Sequence, residues 1–225
     1  MQQVLIPNKI AHALVYAKKN SWVWVTQDMS GKMRNMWSIN TNSLTNPFCC
    51  NRSQTNTICA YCYSRKMLKG LRASCVLAFE YNSKLLSSNV LPENILPVIC
   101  KPILRFSAHG ELLNLTHMKN YLNIARKNPK TIFGFWTKRL DIVTAQHLKF
   151  KPKNIIYIYS NPTINDPMPV VPKQFDKIFS VYTKDFLAGH KRIKINCKGV
   201  KEGGCINCRK CYSPNKIRFI KEVIR

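Results

Sequence analysis

The chain has 225 residues, of which 36 are lysine or arginine and 10 are aspartate or glutamate, so its formal net charge is +26. Apolar residues make up 45% of it, which allows a buried core and excludes a disordered basic tail protein. Prolines and basic residues interrupt the longest apolar stretch, residues 94–106, so we expect no membrane-spanning helix and no membrane partner. Because the N-terminus lacks the pattern of a signal peptide, we expect a cytoplasmic protein.

The charge predicts an anionic partner, and a nucleic acid, either RNA or DNA, is the polyanion that best matches it. The scarcity of acidic residues supports this interpretation, because acidic residues would normally balance the lysines. A basic surface without a partner is the alternative, since the whole sequence is rich in lysine, asparagine and isoleucine. Nothing in the sequence indicates a protein partner.

Hydrophobic patterning predicts strands that alternate with helices. Short apolar runs predict strands at residues 22–26, 36–41, 103–107, 131–136, 155–160, 178–182 and 193–197. Apolar stripes at helical spacing predict helices at residues 63–88, 115–128, 141–150 and, near the C-terminus, 215–225. Four prolines exclude a regular helix between residues 160 and 178.

Alternating strands and helices are typical of a parallel sheet, either open or curled into a partial barrel. We predict an α/β fold: a partial (β/α) barrel with parallel strands and a cysteine-rich, basic C-terminal segment. The predicted domains are an N-terminal strand-and-turn extension over residues 1–35, the barrel core over residues 36–197, and the C-terminal segment over residues 198–225, packed on the core.

Eight of the ten cysteines form two groups. Thiols in a cytoplasmic protein stay reduced, so grouped cysteines predict metal sites rather than disulfides. The second group has successive two-residue gaps, which favour an iron–sulfur centre, with zinc as the alternative metal. It consists of Cys197, Cys205, Cys208 and Cys211.

The first group consists of Cys50, Cys59 and Cys62, with Cys49 as an alternative first ligand. Adjacent cysteines rarely reach the same centre, so we expect three metal-bound thiolates. Three ligands on a [4Fe–4S] cluster leave one iron open, which indicates chemistry rather than a purely structural role.

Further polar residues follow the predicted strands. They are His109, Gly110 and Glu111, then Lys138 and Arg139, then Ser160 and Asn161. Because the carboxyl ends of parallel strands share one edge of a sheet, we expect these residues to lie near the first cysteine group.

These features together resemble the radical S-adenosylmethionine superfamily, and in particular its short phage-encoded members. The resemblance extends from Met36 to about Cys197. Cys59-Ala60-Tyr61-Cys62 resembles the second half of the superfamily's three-cysteine motif, with an aromatic residue before the last cysteine. Ala108-His109-Gly110-Glu111 resembles the segment that follows the second strand of that superfamily. The gap of eight residues between Cys50 and Cys59 differs from the usual three.

The resemblance implies a [4Fe–4S] cluster on Cys50, Cys59 and Cys62 and S-adenosylmethionine on its open iron. It further implies that reduction yields a deoxyadenosyl radical that abstracts hydrogen from the substrate. Glu111, next to Gly110, would accept from the methionyl amine. The other implied roles are adenine contact for Tyr61, ribose contact for Ser160 and Asn161, and a second cluster on Cys197, Cys205, Cys208 and Cys211. Apart from the resemblance, His109 is a candidate metal ligand or acid–base group.

Basic residues near both cysteine groups predict where a nucleic-acid backbone binds. They are Arg65, Lys69, Arg72, Lys138, Arg139, Arg209 and Lys210. We therefore expect a radical S-adenosylmethionine-type enzyme that acts on a nucleic acid or a nucleotide. The alternative is a non-catalytic nucleic-acid-binding protein whose cysteines hold structural zinc or iron–sulfur sites.

Overall fold

The structure is a computed structural model that describes residues 22–51, 56–144 and 149–224. Seven strands form one sheet, and their order in the sheet is their order in the chain. The strands are β1 (Val25–Gln27), β2 (Trp37–Ile39), β3 (Ile103–Phe106), β4 (Ile132–Thr137), β5 (Ile155–Ser160), β6 (Lys177–Tyr182) and β7 (Phe219–Val223).

The first two strands are antiparallel, and every later neighbouring pair is parallel. The register places Leu104 beside Phe133 and Phe135 beside Tyr157, so apolar side chains form continuous rows across the sheet. β1 and β7 are the edge strands, so the sheet is not closed. The α/β class and the mostly parallel sheet are thus confirmed.

Most helices lie in the connections between parallel strands. They are α1 (Pro47–Cys50), α2 (Tyr63–Leu68), α3 (Val76–Ser88), α4 (Leu115–Lys127), α5 (Lys184–Gly189) and α6 (Cys205–Cys208). Single turns of 3-10 helix occur at Gly31–Met33, Ala73–Cys75, Glu93–Ile95 and Gly199–Glu202.

One face of the sheet packs against helices. Asn114 caps α4 by accepting from the backbone N–H of His117, and the apolar stripe of that helix enters the core. Phe106 on β3 stacks on Tyr121 of α4, with ring centroids 4.1 Å apart. This face forms the larger of two main apolar clusters.

The opposite face packs against the chain's C-terminal segment. Trp136, Ile156 and Ile158 project from β4 and β5 into a second apolar cluster, which also includes the buried Tyr212. Cys205 and Cys211 pack against the same cluster. Part of the cysteine-rich C-terminal segment thus packs on this face of the sheet.

Three predicted elements differ from the structure. Residues 193–197 form no strand, and residues 215–225 are not helical, because Phe219–Val223 pairs with β6 as the last strand. The predicted helix 63–88 is interrupted between α2 and α3 by a turn and a 3-10 helix. The predicted helix 141–150 falls partly on residues 145–148, and the predicted extension includes residues 1–21, both outside the described residues.

Within the described ranges, no helix has both the length and the apolar character needed to span a bilayer. The proposed boundaries at residues 35 and 197 stay predictions. β1 belongs to the predicted extension and yet pairs with β2 in the main sheet.

Candidate metal and cofactor site

The carboxyl ends of β2 to β6 share one edge of the sheet, because these strands are parallel. The first cysteine group follows β2, the His109 segment follows β3, and Lys138 follows β4. The backbone N–H of Thr41 donates to the carbonyl of His109, which joins the segments after β2 and β3. The predicted meeting of these segments at one edge is thus present.

Asn46 fixes the short helix α1 at this edge. Its side-chain oxygen accepts from the backbone N–H of Phe48 and Cys49, and Pro47 occupies the first helical position. Its side-chain nitrogen donates to the carbonyl of Glu111 at 2.9 Å. One residue therefore caps the helix that carries Cys49 and Cys50 and attaches that helix to the segment after β3.

Cys49 and Cys50 point in different directions, because successive residues of a helix are rotated by about 100°. Cys49 is partly buried, and its pKa is raised to about 12 by burial and by Glu111, with Lys138 opposing and the thiols of Cys62 and Cys59 adding to the increase. Cys49 thus interacts electrostatically with the other two cysteines of the group.

Cys50 is exposed and makes different contacts. Its thiol donates to the carbonyl of Leu44 at 3.1 Å, and the guanidinium of Arg65 donates to its sulfur at 3.4 Å. The geometry therefore favours Cys49, the alternative first ligand, over Cys50.

The segment that carries Cys59 and Cys62 is attached to the end of β5. The N–H of Ile58 donates to the carbonyl of Pro162 at 2.8 Å, and Thr57 pairs with Thr163 as an isolated bridge. Cys62 is the residue that precedes α2. The cysteine loop therefore crosses from the end of β2 to the end of β5, except for residues 52–55, which the structure does not describe.

The buried Glu111 and the half-buried Lys138 lie together beside the cysteines. The carboxylate of Glu111 accepts from the backbone N–H of Leu112 and of Lys138, both at 2.9 Å, and from the hydroxyl of Thr137. The Lys138 Nζ lies 4.0 Å from the same carboxylate. Glu111 thereby holds the ends of β3 and β4 together.

Lys138 also interacts with the three thiols. Burial lowers its pKa, but Glu111 and the thiols of Cys59, Cys49 and Cys62 outweigh burial, so that its pKa is raised. The Lys138 ammonium therefore stays charged beside the cysteine group. Lys138 was predicted to contact nucleic acid, and its interaction with the thiols was not predicted. Its position directly after a strand is the sequence signal that could have indicated this interaction.

His109 is buried, and its side chain contacts residues of α2 and α3. Its Nδ1 lies 2.9 Å from the hydroxyl of Ser64, and its ring lies near those of Tyr63 and Phe79. Burial lowers its pKa to about 3, so the imidazole is neutral near pH 7. Its predicted acid–base role stays a prediction.

Gly110 has a backbone φ of +76°. It packs closely against Thr41, just after the end of β2. A Cβ atom at this position would lie 2.1 Å from the hydroxyl and 2.5 Å from the carbonyl oxygen of Thr41. Only glycine fits this conformation and this close approach. The segment that resembles the superfamily's second motif therefore has a steric reason for its glycine.

A cleft of about 610 Å³ opens beside α1. That volume lies in the range of small-molecule sites. Residues of α1, of the segment after β4 and of the end of β5 line it, among them Phe48, Asn51, Leu113, Lys138, Arg139 and Tyr159. Since Lys138 reaches both the thiols and this cleft, a bound molecule would lie next to the cysteine group.

The other predicted cofactor contacts, Tyr61, Ser160 and Asn161, differ in their exposure to solvent. Tyr61 is 64% exposed, so its ring is available to a ligand. Ser160 and Asn161 are buried at the end of β5. The Asn161 amide donates to Asp166, and its oxygen accepts from the N–H of Thr163. Ribose contact stays a prediction for both residues.

Besides Lys138, which lies beside Glu111, two of the predicted nucleic-acid residues are paired with acids. Arg72 forms an ion pair with the buried Asp28, whose pKa burial raises. Arg139 binds Asp141 at 2.7 Å and donates to the carbonyl of Leu112.

The remaining predicted contacts differ in exposure. Lys69 and Arg209 are exposed to solvent, Arg65 is partly buried against Cys50, and the Lys210 ammonium donates to the carbonyl of Asn196. Lys69 and Arg209 are thus the predicted residues best placed to contact phosphate.

The second cysteine group lies against a face of the sheet. The N–H of Cys197 donates to the carbonyl of Lys221 within β7. Cys205 and Cys211 pack on the cluster that contains Trp136.

In the part of the chain that the structure describes, no three cysteine, histidine, aspartate or glutamate side chains are already arranged to hold a metal ion. The thiols of each group nevertheless lie close enough to raise one another's pKa. No family model, curated protein or solved structure matches the chain.

Proposed function

We propose that this protein is a radical S-adenosylmethionine-type enzyme whose [4Fe–4S] cluster is held by Cys49, Cys59 and Cys62. The observation that carries the proposal is the electrostatic interaction of three thiols with the Lys138 ammonium at the carboxyl edge of a parallel sheet. When bound, the cluster and S-adenosylmethionine supply a radical that abstracts hydrogen. A cleft beside the thiols offers room for substrate.

The residue types at this edge have the chemistry that such a cluster needs. Three thiolates leave one iron without a protein ligand, as the proposed chemistry requires. A charged lysine next to the thiols favours their deprotonated form and offsets part of the negative charge of the bound group. Lys138 has this role in our proposal.

Glu111 acts in this proposal as a positioning residue. Both of its carboxylate oxygens accept hydrogen bonds from the ends of β3 and β4, and its carbonyl accepts from Asn46. It thereby fixes both Lys138 and α1. Binding of the methionyl amine by Glu111, which the resemblance implies, would have to displace one of these hydrogen bonds.

We further propose that the sheet curls into a partial barrel. Six parallel strands follow one another in chain order, without the reversal of order that defines a doubly wound sheet. Right-handed crossovers in such a sheet place the helices of successive connections on one face, and α3 and α4, from the β2–β3 and β3–β4 connections, share one apolar cluster. The other face is then concave, which agrees with its packing against the C-terminal segment.

Anaerobic reduction in the presence of S-adenosylmethionine tests the enzymatic proposal. We expect 5′-deoxyadenosine from the wild-type protein and at least a hundredfold less from Cys62→Ser, because that variant lacks one cluster ligand. Cys100→Ser, which changes an exposed cysteine outside both groups, is the matched control. Iron-loaded wild-type protein that forms no 5′-deoxyadenosine would contradict the proposal.

A nucleic acid or nucleotide is the substrate class that we propose, on the basis of the net charge of +26. Affinity for single-stranded RNA or duplex DNA should fall linearly in a plot of log affinity against log salt concentration. Lys69→Ala and Arg209→Ala should each reduce that slope by about 1 if the residue contacts phosphate. Fluorescence anisotropy across a salt series measures the slope, and a flat series would reject phosphate binding.

A further inference from the structure

A charged side chain projects from β3 into the second apolar cluster. Side chains alternate between the two faces of a strand. Leu104 and Phe106 enter the larger cluster, so Arg105 lies on the opposite face with Ile103, which belongs to the second cluster. An arginine guanidinium stays charged near neutral pH, so this otherwise apolar face carries a fixed positive charge.

The neighbours of Arg105 in the sheet leave room for its side chain. The register places Arg105 beside Ser38 on β2 and beside Gly134 on β4. The ring of Tyr212 lies over Gly134, where a Cβ atom would be 2.6 Å from that ring. Because neighbouring strands are about 4.8 Å apart, Tyr212 covers the sheet directly next to Arg105.

The guanidinium of Arg105 is held in a fixed orientation. Its central carbon lies 4.1 Å from the centre of the Trp136 ring, and its Nη1 donates to the sulfur of Met33 at 3.2 Å. A guanidinium that is already held by a ring and a hydrogen bond loses little further freedom when it binds a ligand.

The other two nitrogens of this guanidinium have no partner within the part of the chain that the structure describes. Nε is buried without a hydrogen bond, and Nη2 donates to no acceptor there. The N–H bonds of Nε and Nη2 are parallel, and such a fork binds two oxygens of one phosphate or carboxylate group. The side chain is only partly buried, so part of it stays open to solvent. The unused side of Arg105 is therefore the side that recognises an oxyanion.

The positive charge of Arg105 has no carboxylate within 4 Å among the described residues. Asp28 interacts with it electrostatically but already forms an ion pair with Arg72. A buried cation without a close counter-charge is costly, so a bound anion would stabilise Arg105. The other groups that interact with it electrostatically are phenols and thiols, those of Tyr63, Tyr212, Cys205 and Cys211.

The hydroxyl of Tyr212 is a second unpaired donor on this face. Tyr212 is 2% exposed, and its hydroxyl has no hydrogen-bond partner among the described residues. Its ring contacts Trp136, the same ring on which Arg105 stacks. Buried hydroxyls are normally hydrogen-bonded, so this one indicates a partner that the described residues do not supply.

We propose that Arg105 and Tyr212 form a binding site for an oxyanion, the phosphate or carboxylate group of a ligand, on the second face of the sheet. The fork of Nε and Nη2 donates two parallel hydrogen bonds to the oxyanion, and the Tyr212 hydroxyl donates a third. The site uses neither a metal nor the first cysteine group. It therefore does not depend on the radical chemistry proposed above.

Calorimetric titration with inorganic phosphate at constant ionic strength tests the site in the protein as purified anaerobically. Arg105→Met should weaken phosphate binding at least tenfold, because it removes the charge and both donors of the fork. Arg105→Lys should recover only part of the affinity, since an ammonium keeps the charge but lacks the fork.

Lys119→Met is the matched control for loss of charge. It removes one exposed charge from α4, which packs on the other face of the sheet, and it should bind phosphate like the wild-type protein. Phosphate binding that is weakened equally in Lys119→Met and Arg105→Met would reflect net charge alone and would overturn the proposal.

Three further ligands distinguish the sources of the oxyanion: acetate, adenosine 5′-monophosphate and adenosine, which lacks the phosphate. If a nucleotide supplies the oxyanion, the monophosphate should bind at least tenfold more tightly than adenosine, and Arg105→Met should remove that difference. If a carboxylate supplies it, acetate binding should depend on Arg105 in the same way. The proposal is overturned if phosphate, acetate and the monophosphate all bind the wild-type protein and Arg105→Met equally.

Tyr212→Phe tests the second donor, because it removes only the hydroxyl and keeps the ring over Gly134. Phosphate affinity should fall at least threefold in this variant. An unchanged affinity would remove Tyr212 from the site.

Thermal unfolding gives a reading of the same site through stability. Without phosphate, Arg105→Met should be at least as stable as the wild-type protein, because it removes a buried charge that lacks a close partner. Phosphate should raise the melting temperature of the wild-type protein more than that of Arg105→Met, since a ligand stabilises the folded state that binds it. An equal increase in both proteins would contradict binding at Arg105.

Discussion

Gly110→Ala is expected to destabilise the protein by about 3 kcal/mol or more. The new Cβ would lie 2.5 Å from the carbonyl oxygen of Thr41, a backbone atom that cannot rotate away. The φ of +76° adds about 1–2 kcal/mol for any residue with a Cβ, and overpacking adds about 1–3 kcal/mol. Urea unfolding monitored by circular dichroism measures the change in the free energy of unfolding.

Two other glycines separate the steric from the conformational part of this cost. Gly31 has a φ of +68°, but a Cβ atom added there would have no other atom within 4 Å, so Gly31→Ala should cost only about 1–2 kcal/mol. Gly189 has neither constraint, and Gly189→Ala should be neutral or slightly stabilising. A Gly110→Ala variant no less stable than Gly31→Ala would show that Thr41 does not restrict this position.

Cys49→Ser should abolish iron binding at the first site, whereas Cys50→Ser should leave it intact. The reason is that the Cys49 thiol interacts electrostatically with those of Cys59 and Cys62, whereas the exposed Cys50 thiol donates to the carbonyl of Leu44. Iron and sulfide are measured after identical anaerobic reconstitution of each variant. The iron lost by Cys49→Ser should equal that lost by Cys62→Ser.

The adjacent pair provides its own control, because both substitutions remove one sulfur from the same helical turn. A general loss of stability would therefore lower iron in both variants to a similar extent. If Cys50→Ser loses the iron and Cys49→Ser retains it, the assignment of the first ligand is reversed. Absorbance near the iron–sulfur charge-transfer bands gives a second reading of the same outcome.

The sequence predicted β2 to β6 well, because strands buried on both faces are continuous apolar runs that local patterning detects. β5 matches its predicted bounds at both ends, and all six of its residues are buried. β7 was missed, since Lys221 and Glu222 interrupt its apolar residues and its pairing with β6 is not visible locally. Long-range pairing overrode the helical pattern there.

The candidate site could be predicted only in part, again because contacts between distant segments are not visible in the local sequence. Spacing alone groups the cysteines, but it does not show which of two neighbours faces inward, since that depends on the rotation of α1. The residues that bind nucleic acid are also difficult to predict from charge alone. Arg72, for example, forms an ion pair with Asp28, which lies 44 residues earlier. Sequence patterns identify residue types at the site, and contacts between distant segments decide their roles.

The attachment of the cysteine loop to the end of β5 has a consequence for the order of assembly during synthesis. Cys62 leaves the ribosome about one hundred residues before Thr163, whose pairing with Thr57 holds the loop in place. At roughly 5–20 residues per second, that interval lasts about 5–20 s. The three cysteines are therefore synthesised early, but the loop that carries them is held in place only after β5 has been synthesised. Metal loading should accordingly follow completion of β5 rather than synthesis of the cysteines themselves.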